Sequence, residues 1–293
     1  KQYVLGKYEA YKVGDTVVLS RPASSSPAIN EVRYIYDRYR LPQLIILVGI
    51  FFLSALYFGR KRGATSIIGL IVSILVIFYY IIPRIIAGHN PFVTCVSAAV
   101  FMCIGTLYLS HGFNRRTSIA LAGSLLSLGL AACLTKIFVW FTALAGMGTE
   151  EAFYLQFDGL SIDVHGVLLG GIMLGVLGVL DDATTGQSAA VEEIFNADSS
   201  VSFVELYHRG LSVGREHIAS LINTLVLAYV GASFPLLLLY AHQSMQPLWV
   251  MLNSNLIAEE LVRTLVGSIT LVVAVPLTNA LAAYVYTRRQ KHK

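Results

Sequence analysis

Charged residues are scarce in this chain. Asp, Glu, Lys and Arg make up only 13% of its 293 residues, whereas soluble domains carry roughly 25%. Apolar residues make up 56%, the mean hydropathy is +0.67, and several apolar runs approach the roughly 20 residues that cross a bilayer. The composition therefore excludes an ordinary soluble protein and predicts one embedded in the lipid bilayer. The net charge of +4 gives no indication of nucleic-acid binding, because many positive residues fall in short loops between apolar runs.

Cysteine is scarce as well. The three cysteines, Cys95, Cys103 and Cys133, all lie inside apolar runs. An odd number of cysteines in such runs excludes a disulfide framework and predicts side chains that pack between helices.

Residues 1–40 differ from the rest because they contain no membrane-like run. Gly14 and Asp15 predict a turn that leads into a strand ending near Leu19, and residues 31–40 alternate polar with apolar or aromatic residues, which favours a second strand. We therefore predict three regions: a short β-rich extracytoplasmic segment at 1–40, a transmembrane helical domain at 41–287, and a basic cytoplasmic tail at 288–293.

The apolar runs predict an all-α polytopic membrane protein with seven transmembrane helices. A short surface helix at 200–209 should end at Gly210, and an interfacial helix should lie within 242–260. The fifth span contains the apolar run 167–180. The other six predicted spans are 44–58, 65–82, 91–109, 117–144, 218–240 and 261–287.

The positive residues predict the orientation of these spans. The loops after spans one, three, five and seven are rich in Arg and Lys. The basic residues counted for the loops after spans two, four and six are only Arg84 and Arg263. Because basic loops stay in the cytoplasm, the C-terminus should be cytoplasmic and residues 1–40 should lie outside. Three arginines before the first span oppose this orientation, but longer translocated segments are largely exempt from the charge bias. We expect a further helix to precede residue 1, removed by processing or lying upstream.

Spans two to four and five to seven resemble each other weakly, which predicts a 3+3 inverted repeat. Gly123-Ser124 and Leu134-Thr135 in span four have counterparts in Gly267-Ser268 and Leu277-Thr278 of span seven. Inverted repeats with a site at their interface are a common transporter design. The other interpretation is that apolar helices look alike by chance.

Two adjacent carboxylates, Asp181 and Asp182, follow the glycine-rich apolar run 167–180. This run is too short to cross a bilayer alone, so the fifth span should include the carboxylates or break beside them. At membrane depth they would bind a proton or a cation, because either one would reduce the repulsion between the two negative charges. Alternatively, the helix ends at Leu180 and leaves Asp181 at the cytoplasmic surface.

Other polar residues within the spans are candidates for a substrate or ion path. Lys136 either reaches the membrane surface or pairs with an acid, and the remaining residues either line the path or form hydrogen bonds between helices. A metal site is unknown, because Asp163 and His165 alone are too few ligands. The glycines at 170, 171, 175 and 178 predict close helix packing. The candidate path residues are Asp181, Asp182, Thr184, Thr185, Gln187, Ser188, Asn223, Thr224, Thr278, Asn279 and Lys136.

Three stretches carry a resemblance to a known family: GVLGVLDDAT at 175–184, NTLVLAYVGASFPLL at 223–237 and VRTLVGSITLVVAVPLT at 262–278. Together they resemble the YibE/F family of bacterial multi-spanning membrane proteins over roughly residues 40–287. The family has Val where this chain has Ala183. The resemblance implies a bacterial cytoplasmic membrane, a preceding N-terminal helix and an extracytoplasmic β module, in a family described as transporters or as proteins of unknown function.

The sequence supports three hypotheses about function. The first is a secondary transporter or exporter of a small solute or ion, coupled to H⁺ or a cation through the carboxylates. The second is a membrane-embedded enzyme acting on a lipid-linked or peptide substrate, although no nucleophile motif accompanies the Asp pair. The third is a non-catalytic membrane adaptor. We expect no cofactor, and the expected partners are the bilayer, a small solute or ion, and a second copy of the chain.

Overall fold

The computed structural model of the chain describes residues 11–20, 34–157, 162–242 and 247–290. It divides into two compact units, Lys1–Ala64 and Thr65–Lys293, and most described residues are helical. The elements in chain order are β1 (Val17–Ser20), β2 (Tyr34–Arg38), α1 (Leu41–Val76), a π-helical turn (Ile77–Ile81), α2 (Ile82–Ile86), α3 (Pro91–His111), α4 (Arg115–Phe141), α5 (Glu150–Phe157), α6 (Val164–Ala197), α7 (Phe203–Ala232), α8 (Phe234–His242), α9 (Leu248–Leu252) and α10 (Asn255–Gln290).

The first unit begins with a two-stranded antiparallel sheet, which confirms the predicted strands. Val17 of β1 lies opposite Arg38 of β2, and the preceding turn places Gly14 at φ +102°, a conformation that glycine adopts at little cost. The Arg38 guanidinium donates to the Asp15 carboxylate at 2.7 Å. The backbone N–H of Lys12 and this guanidinium lower the pKa of the Asp15 carboxyl.

Helix α1 is interrupted at Arg60, whose φ of 49° and ψ of −131° are not helical. After this break the chain folds back, so that a Cβ added to Gly63 would overlap the carbonyl of Ala55. In a straight helix, two residues eight positions apart would be separated by about 12 Å. The break at Arg60 therefore falls between the predicted spans 44–58 and 65–82.

Five helical segments in the described part of the chain are long and apolar enough to cross a membrane, fewer than the seven predicted spans. The first two predicted spans fall in one continuous segment. The predicted span 218–240 is divided between α7 and α8, and α7 begins with a polar turn. The five segments are Leu41–Ile86, Pro91–His111, Arg115–Phe141, Val164–Ala197 and Asn255–Arg288.

The core of the second unit is formed by α4, α6 and α10, which pack against one another, while α3 packs against α6 and α7 packs against both α6 and α10. The close approach of neighbouring helices depends on glycine residues at their contacts. A Cβ on Gly123 of α4 would overlap the Thr278 hydroxyl of α10, and a Cβ on Gly170 of α6 would lie 2.6 Å from the Cys95 sulfur of α3. The buried Cys95 and Cys103 confirm packing roles, whereas Cys133 is exposed.

Two predicted boundaries are wrong. Gly210 does not end a surface helix at 200–209, because α7 begins after its Ser202 cap and continues through Gly210 to Ala232. Gly210 is buried beside Asn279 and Val191, where no larger residue fits, so its role is close packing and not termination. The second wrong prediction is a single interfacial helix within 242–260. This range instead contains the short helix α9, which carries the exposed Trp249, and the start of α10 at Asn255.

We expect Gly123→Ala to lower the stability of the helical unit. The new methyl group would meet the β-branched Thr278 side chain, which has little rotamer freedom, and such overpacking costs about 1–3 kcal/mol. Gly129→Ala on the same helix is the matched control, because a Cβ there meets nothing within 4 Å and Ala is the better helix former. Thermal unfolding in detergent should show a lower midpoint for the first variant only; equal midpoints would contradict this packing.

Candidate functional site

Helix α6 carries the carboxylate pair and does not end beside it. The Asp163 side chain caps its start by accepting from the Gly166 N–H at 3.0 Å, and the helix then continues for 34 residues to Ala197. The alternative in which the helix ends at Leu180 is therefore wrong. Asp163 serves as a helix cap while His165 is exposed, and within the described residues no group of three or more His, Cys, Asp or Glu side chains is placed to hold a metal ion.

Asp181 points from α6 toward α3. Its Oδ2 accepts a hydrogen bond from the Thr106 hydroxyl at 2.9 Å, and its Oδ1 lies 3.8 Å from the Cys103 thiol. Asp182 lies about 100° further around the helix and is exposed. Neither Thr106 nor Cys103 was a predicted site residue.

The length of α3 gives the depth of Asp181. Helix α3 has 21 residues, a length of about 31 Å that matches a single crossing of the hydrocarbon core. Thr106 lies five residues before the end of this helix at His111, so the Asp181 carboxylate lies about 7–8 Å inside that end. The carboxylate thus lies within the length of a helix that is long enough to cross a membrane, near the end that leads into the loop with Arg115 and Arg116.

A polar cavity of about 370 Å³ adjoins both carboxylates. Three helices line it, and most of the side chains they contribute carry hydroxyl, imidazole or carboxylate groups. Thr106 and Ser110 lie one turn apart on α3, a spacing that could have indicated a shared polar face. The lining residues are Ser66, Gly69, Leu70 and Ser73 of α1, Thr106, Leu107, Ser110 and His111 of α3, and Gly178, Asp181 and Asp182 of α6.

The cavity lies at the His111 end of α3, while the other end of the α3–α6 contact is closely packed. Cβ atoms added to Gly166 and Gly170 would lie 2.9 Å from Pro91 and 2.6 Å from Cys95. Gly178, which lines the cavity, has no atom within 4 Å of its Cβ position. The α3–α6 contact is therefore close near the start of α3, whereas beside Asp181 it consists of the Thr106 hydrogen bond and borders the cavity.

The next polar residues on α6 face the protein interior. The buried Thr184 hydroxyl lies 2.7 Å from the Ser124 hydroxyl of α4, and the Ser188 hydroxyl donates to the Arg116 carbonyl at 2.9 Å. The half-buried Thr185 hydroxyl donates to the Asp181 carbonyl at 2.7 Å. These hydroxyls satisfy one another or the backbone, and none lines the cavity.

Gln187 and Asn279 form a buried hydrogen-bond network between α6, α7 and α10. The Gln187 amide donates to the Gly210 carbonyl at 3.0 Å and to Asn279 Oδ1 at 2.9 Å, and the Asn279 amide donates to the Tyr207 carbonyl at 2.7 Å. A Cβ on Gly214 would lie 2.6 Å from Gln187 Oε1. The glycines of α7 therefore allow its backbone to reach the two amides.

Two further side chains, Glu192 and Thr278, lie at contacts between these helices. Glu192 forms an ion pair with Arg116 at 3.5 Å and accepts from the Tyr286 hydroxyl at 2.9 Å, which ties α4, α6 and α10 together. Thr278 is fully buried against Gly123, and its hydroxyl has no hydrogen-bond partner in the described part of the chain. The carboxylate of Glu192 thus belongs to the helix contacts and not to the cavity.

The remaining predicted path residues lie away from the carboxylates. Asn223 and Thr224 are exposed on α7, and the Thr224 hydroxyl donates to the Ser220 carbonyl at 3.0 Å. The exposed Lys136 places its Nζ 4.7 Å from the centre of the Phe92 ring. Phe92 is fourteen residues before Thr106 on α3, so Lys136 is about 20 Å along the helix from Asp181.

We expect Asn279→Ala to destabilise the protein. The substitution removes two buried hydrogen bonds, from the Asn279 amide to the Tyr207 carbonyl and from the Gln187 amide to Asn279, and each such bond contributes about 0.5–1.5 kcal/mol. Asn223→Ala is the matched control, since Asn223 is exposed in the neighbouring helix. Thermal unfolding in detergent should separate the two variants, and an unchanged midpoint for Asn279→Ala would show that the network contributes little.

The comparison with protein families confirms the resemblance carried by the three stretches of sequence. A family model described as YibE/F-like protein matches residues 47–288. No curated protein and no solved structure matches the chain. Because the family match covers most of the chain and includes every residue that lines the cavity, this chain belongs to the family of YibE/F-like proteins.

Proposed function

We propose that this protein is a secondary transporter or exporter of a small solute or ion, coupled to H⁺ or another cation through Asp181 and Asp182. The observation that carries the proposal is the polar cavity beside two carboxylates about 7–8 Å inside the end of a membrane-length helix. A charged group at that depth is costly unless it faces protein or water, and it is therefore retained for a function.

The chemistry of the cavity fits a cation or a proton. Thr106 donates to one oxygen of Asp181, and Asp182 adds a second negative charge at the same cavity. The repulsion between the carboxylates is relieved when one is protonated or when a cation lies between them. Hydroxyl and carboxylate oxygens are also the ligands that hard cations prefer.

The transport path should run between α1, α3 and α6. The interior residues Thr184, Gln187, Ser188, Thr278 and Asn279 are enclosed by helix contacts, so we assign them to a rigid core and not to the path. The cavity is approached from the His111 end, and the close contacts of Gly166 and Gly170 close the opposite end. This arrangement fits a transporter conformation that is open to one side of the membrane.

Seven crossings are consistent with the helix lengths and contacts. The segment Leu41–Ile86 has 46 residues, about 69 Å of helix, which is more than twice the thickness of the hydrocarbon core. Its break at Arg60 fits two crossings. Helix α7 runs antiparallel to α6, from Gly210 beside Gln187 to Tyr229 beside Gly175, which supports a further crossing that includes Asn223.

The inverted repeat and the orientation are also part of the proposal. The contact of Gly123 with Thr278 joins the predicted spans four and seven, which would be the equivalent spans of the two halves. The cytoplasmic loops would hold most of the charge, with residues 1–40 outside and the C-terminus in the bacterial cytoplasm. Their basic residues are Arg60, Lys61, Arg62, Arg115, Arg116, Arg209, Arg215, Arg288, Arg289, Lys291 and Lys293.

Cysteine labelling tests the orientation. With the exposed Cys133 replaced by Ala, His89→Cys should react with a membrane-impermeant maleimide in intact cells, because its loop follows the second span. Ser199→Cys should react only after permeabilisation, because its loop follows the fifth span. Both positions are exposed. Labelling of Ser199→Cys in intact cells would contradict the orientation.

Replacement of the carboxylates tests the transport proposal. Proteoliposomes loaded with a pH-sensitive dye should show internal pH changes when gradients of Na⁺, K⁺ or Mg²⁺ are imposed. We expect Asp181→Asn to reduce these changes to the level of protein-free liposomes, because Asn keeps the shape of the side chain and its contact with Thr106 but removes the charge. Asp182→Asn should weaken them, since the second negative charge at the cavity is lost.

Asp198→Asn is the control for this experiment, because Asp198 lies at the end of α6 outside the cavity and its carboxylate accepts from the Ser200 hydroxyl at 2.6 Å. Flux that is unchanged in Asp181→Asn would contradict coupling through this residue. Function that persists in both cavity variants but is lost on deletion of residues 1–40 would instead support an adaptor.

A further inference from the structure

We propose that the groove between the first turns of α4 and the last turns of α10, here called the α4–α10 groove, binds an anionic phospholipid. The groove has a volume of about 600 Å³, within the range of ligand pockets, and lies on a different face of α4 from Ser124 and its contact with α6. Its lining residues are Phe113, Asn114, Arg115, Ser118, Ile119, Ala122, Leu281 and Val285.

The groove changes from polar to apolar with depth. Asn114, Arg115 and Ser118 lie at the start of α4, whereas Ile119 and Ala122 lie up to about 10 Å deeper along the same helix. On α10, which runs antiparallel, Leu281 lies deeper than Val285. A phospholipid has the same order of groups, with a charged head above apolar chains.

Arg115 is the charged side chain available in the groove. Asn114 is occupied, because its Oδ1 accepts from the backbone and side chain of Thr117. Arg116 is paired with Glu192, whereas Arg115 is exposed and forms no ion pair with any described residue. None of the eight lining residues is acidic, so the groove complements an anionic head group and would not favour a zwitterionic one.

A lipid fits this groove better than a soluble anion. A free phosphate would leave the exposed Ala122 and Val285 and the half-buried Leu281 uncovered, whereas acyl chains would cover them. Basic residues next to a membrane helix attract anionic lipids with about 1 kcal/mol per residue. The head group would also lie beside the positive end of the α4 dipole.

Lipid titration of the purified full-length chain in detergent tests the proposal. Phosphatidylglycerol should raise the thermal unfolding midpoint and remain bound in native mass spectrometry, whereas phosphatidylcholine should not. Arg115→Gln should bind phosphatidylglycerol about fivefold more weakly, which corresponds to the loss of one such charge. Arg115→Lys should restore most of the binding, because it keeps the charge.

Two further variants separate the groove from general charge effects. Ala122→Trp should abolish retention of the lipid by filling the apolar end without changing any charge, and its midpoint without lipid should stay near that of the parent because Ala122 is exposed. Arg84→Gln is the matched control, since Arg84 is exposed beside Tyr80 outside the groove, and it should bind like the parent.

The proposal is overturned if Arg115→Gln and Ala122→Trp both bind phosphatidylglycerol as the parent does. Equal binding of phosphatidylcholine would overturn the role of Arg115 in selecting an anionic head group. If inorganic phosphate or glycerol phosphate at the same concentration gives the same increase in midpoint, the groove binds a soluble anion, and the lipid assignment is wrong.

Discussion

The hydrogen bonds of Gln187 hold the rest of the helical unit in place. This side chain donates to Asn279 of α10 and to the Gly210 carbonyl of α7, in a region where neither lipid nor close-packed protein offers another partner. Because an unpaired amide would be costly there, the two contacts fix both the rotation and the depth of α6. Asp181 lies six residues earlier, about 120° away around the helix, and is therefore directed toward α3.

The polar residues of α6 lie in two different environments. Thr184, Gln187 and Ser188 are buried among α4, α7 and α10. Gly178 and the two carboxylates, which come earlier along the helix, adjoin the cavity. Polar residues thus have two kinds of surroundings within a few turns of one helix: the enclosed ones form hydrogen bonds between helices, and the carboxylates border the cavity.

The sequence predicted the membrane helices and the N-terminal strands because hydropathy and alternation are local properties. It also identified Asp181 as the residue to examine, because the apolar run before it is too short to cross a bilayer. It could not separate the Asp pair from Gln187 or Asn279, since all of them are polar residues within apolar helices. The partners that distinguish Gln187 and Asn279 from the Asp pair include the backbone carbonyls of Gly210 and Tyr207, and a carbonyl has no sequence signature.

The role of Gly210 also depends on tertiary contacts that the sequence does not reveal. A glycine after a polar stretch is a common helix end, but here it lies within a helix because its missing side chain lets the α7 backbone reach Gln187 and Asn279. The number of spans was equally hard to judge from apolar length alone. The polar first turns of α7 lower its average hydropathy, so α7 is not among the five segments that are apolar enough to cross a membrane. Its antiparallel contacts with α6 nevertheless place Asn223 near the level of Asp181 along that helix.

These contacts limit which helices of the second unit can move against one another. Helix α6 is tied to α4 through Thr184 and Ser188, and to α7 and α10 through Gln187, so it cannot shift without the whole core. The α3–α6 contact is different, because Gly166 and Gly170 pack closely against Pro91 and Cys95, whereas Asp181 borders the cavity. Under the transport that we propose, access to Asp181 from the Pro91 end of α3 would require the Gly170–Cys95 contact to loosen, with α3 moving against a fixed core. A rocking of α3 about α6 is therefore the motion that the proposal favours.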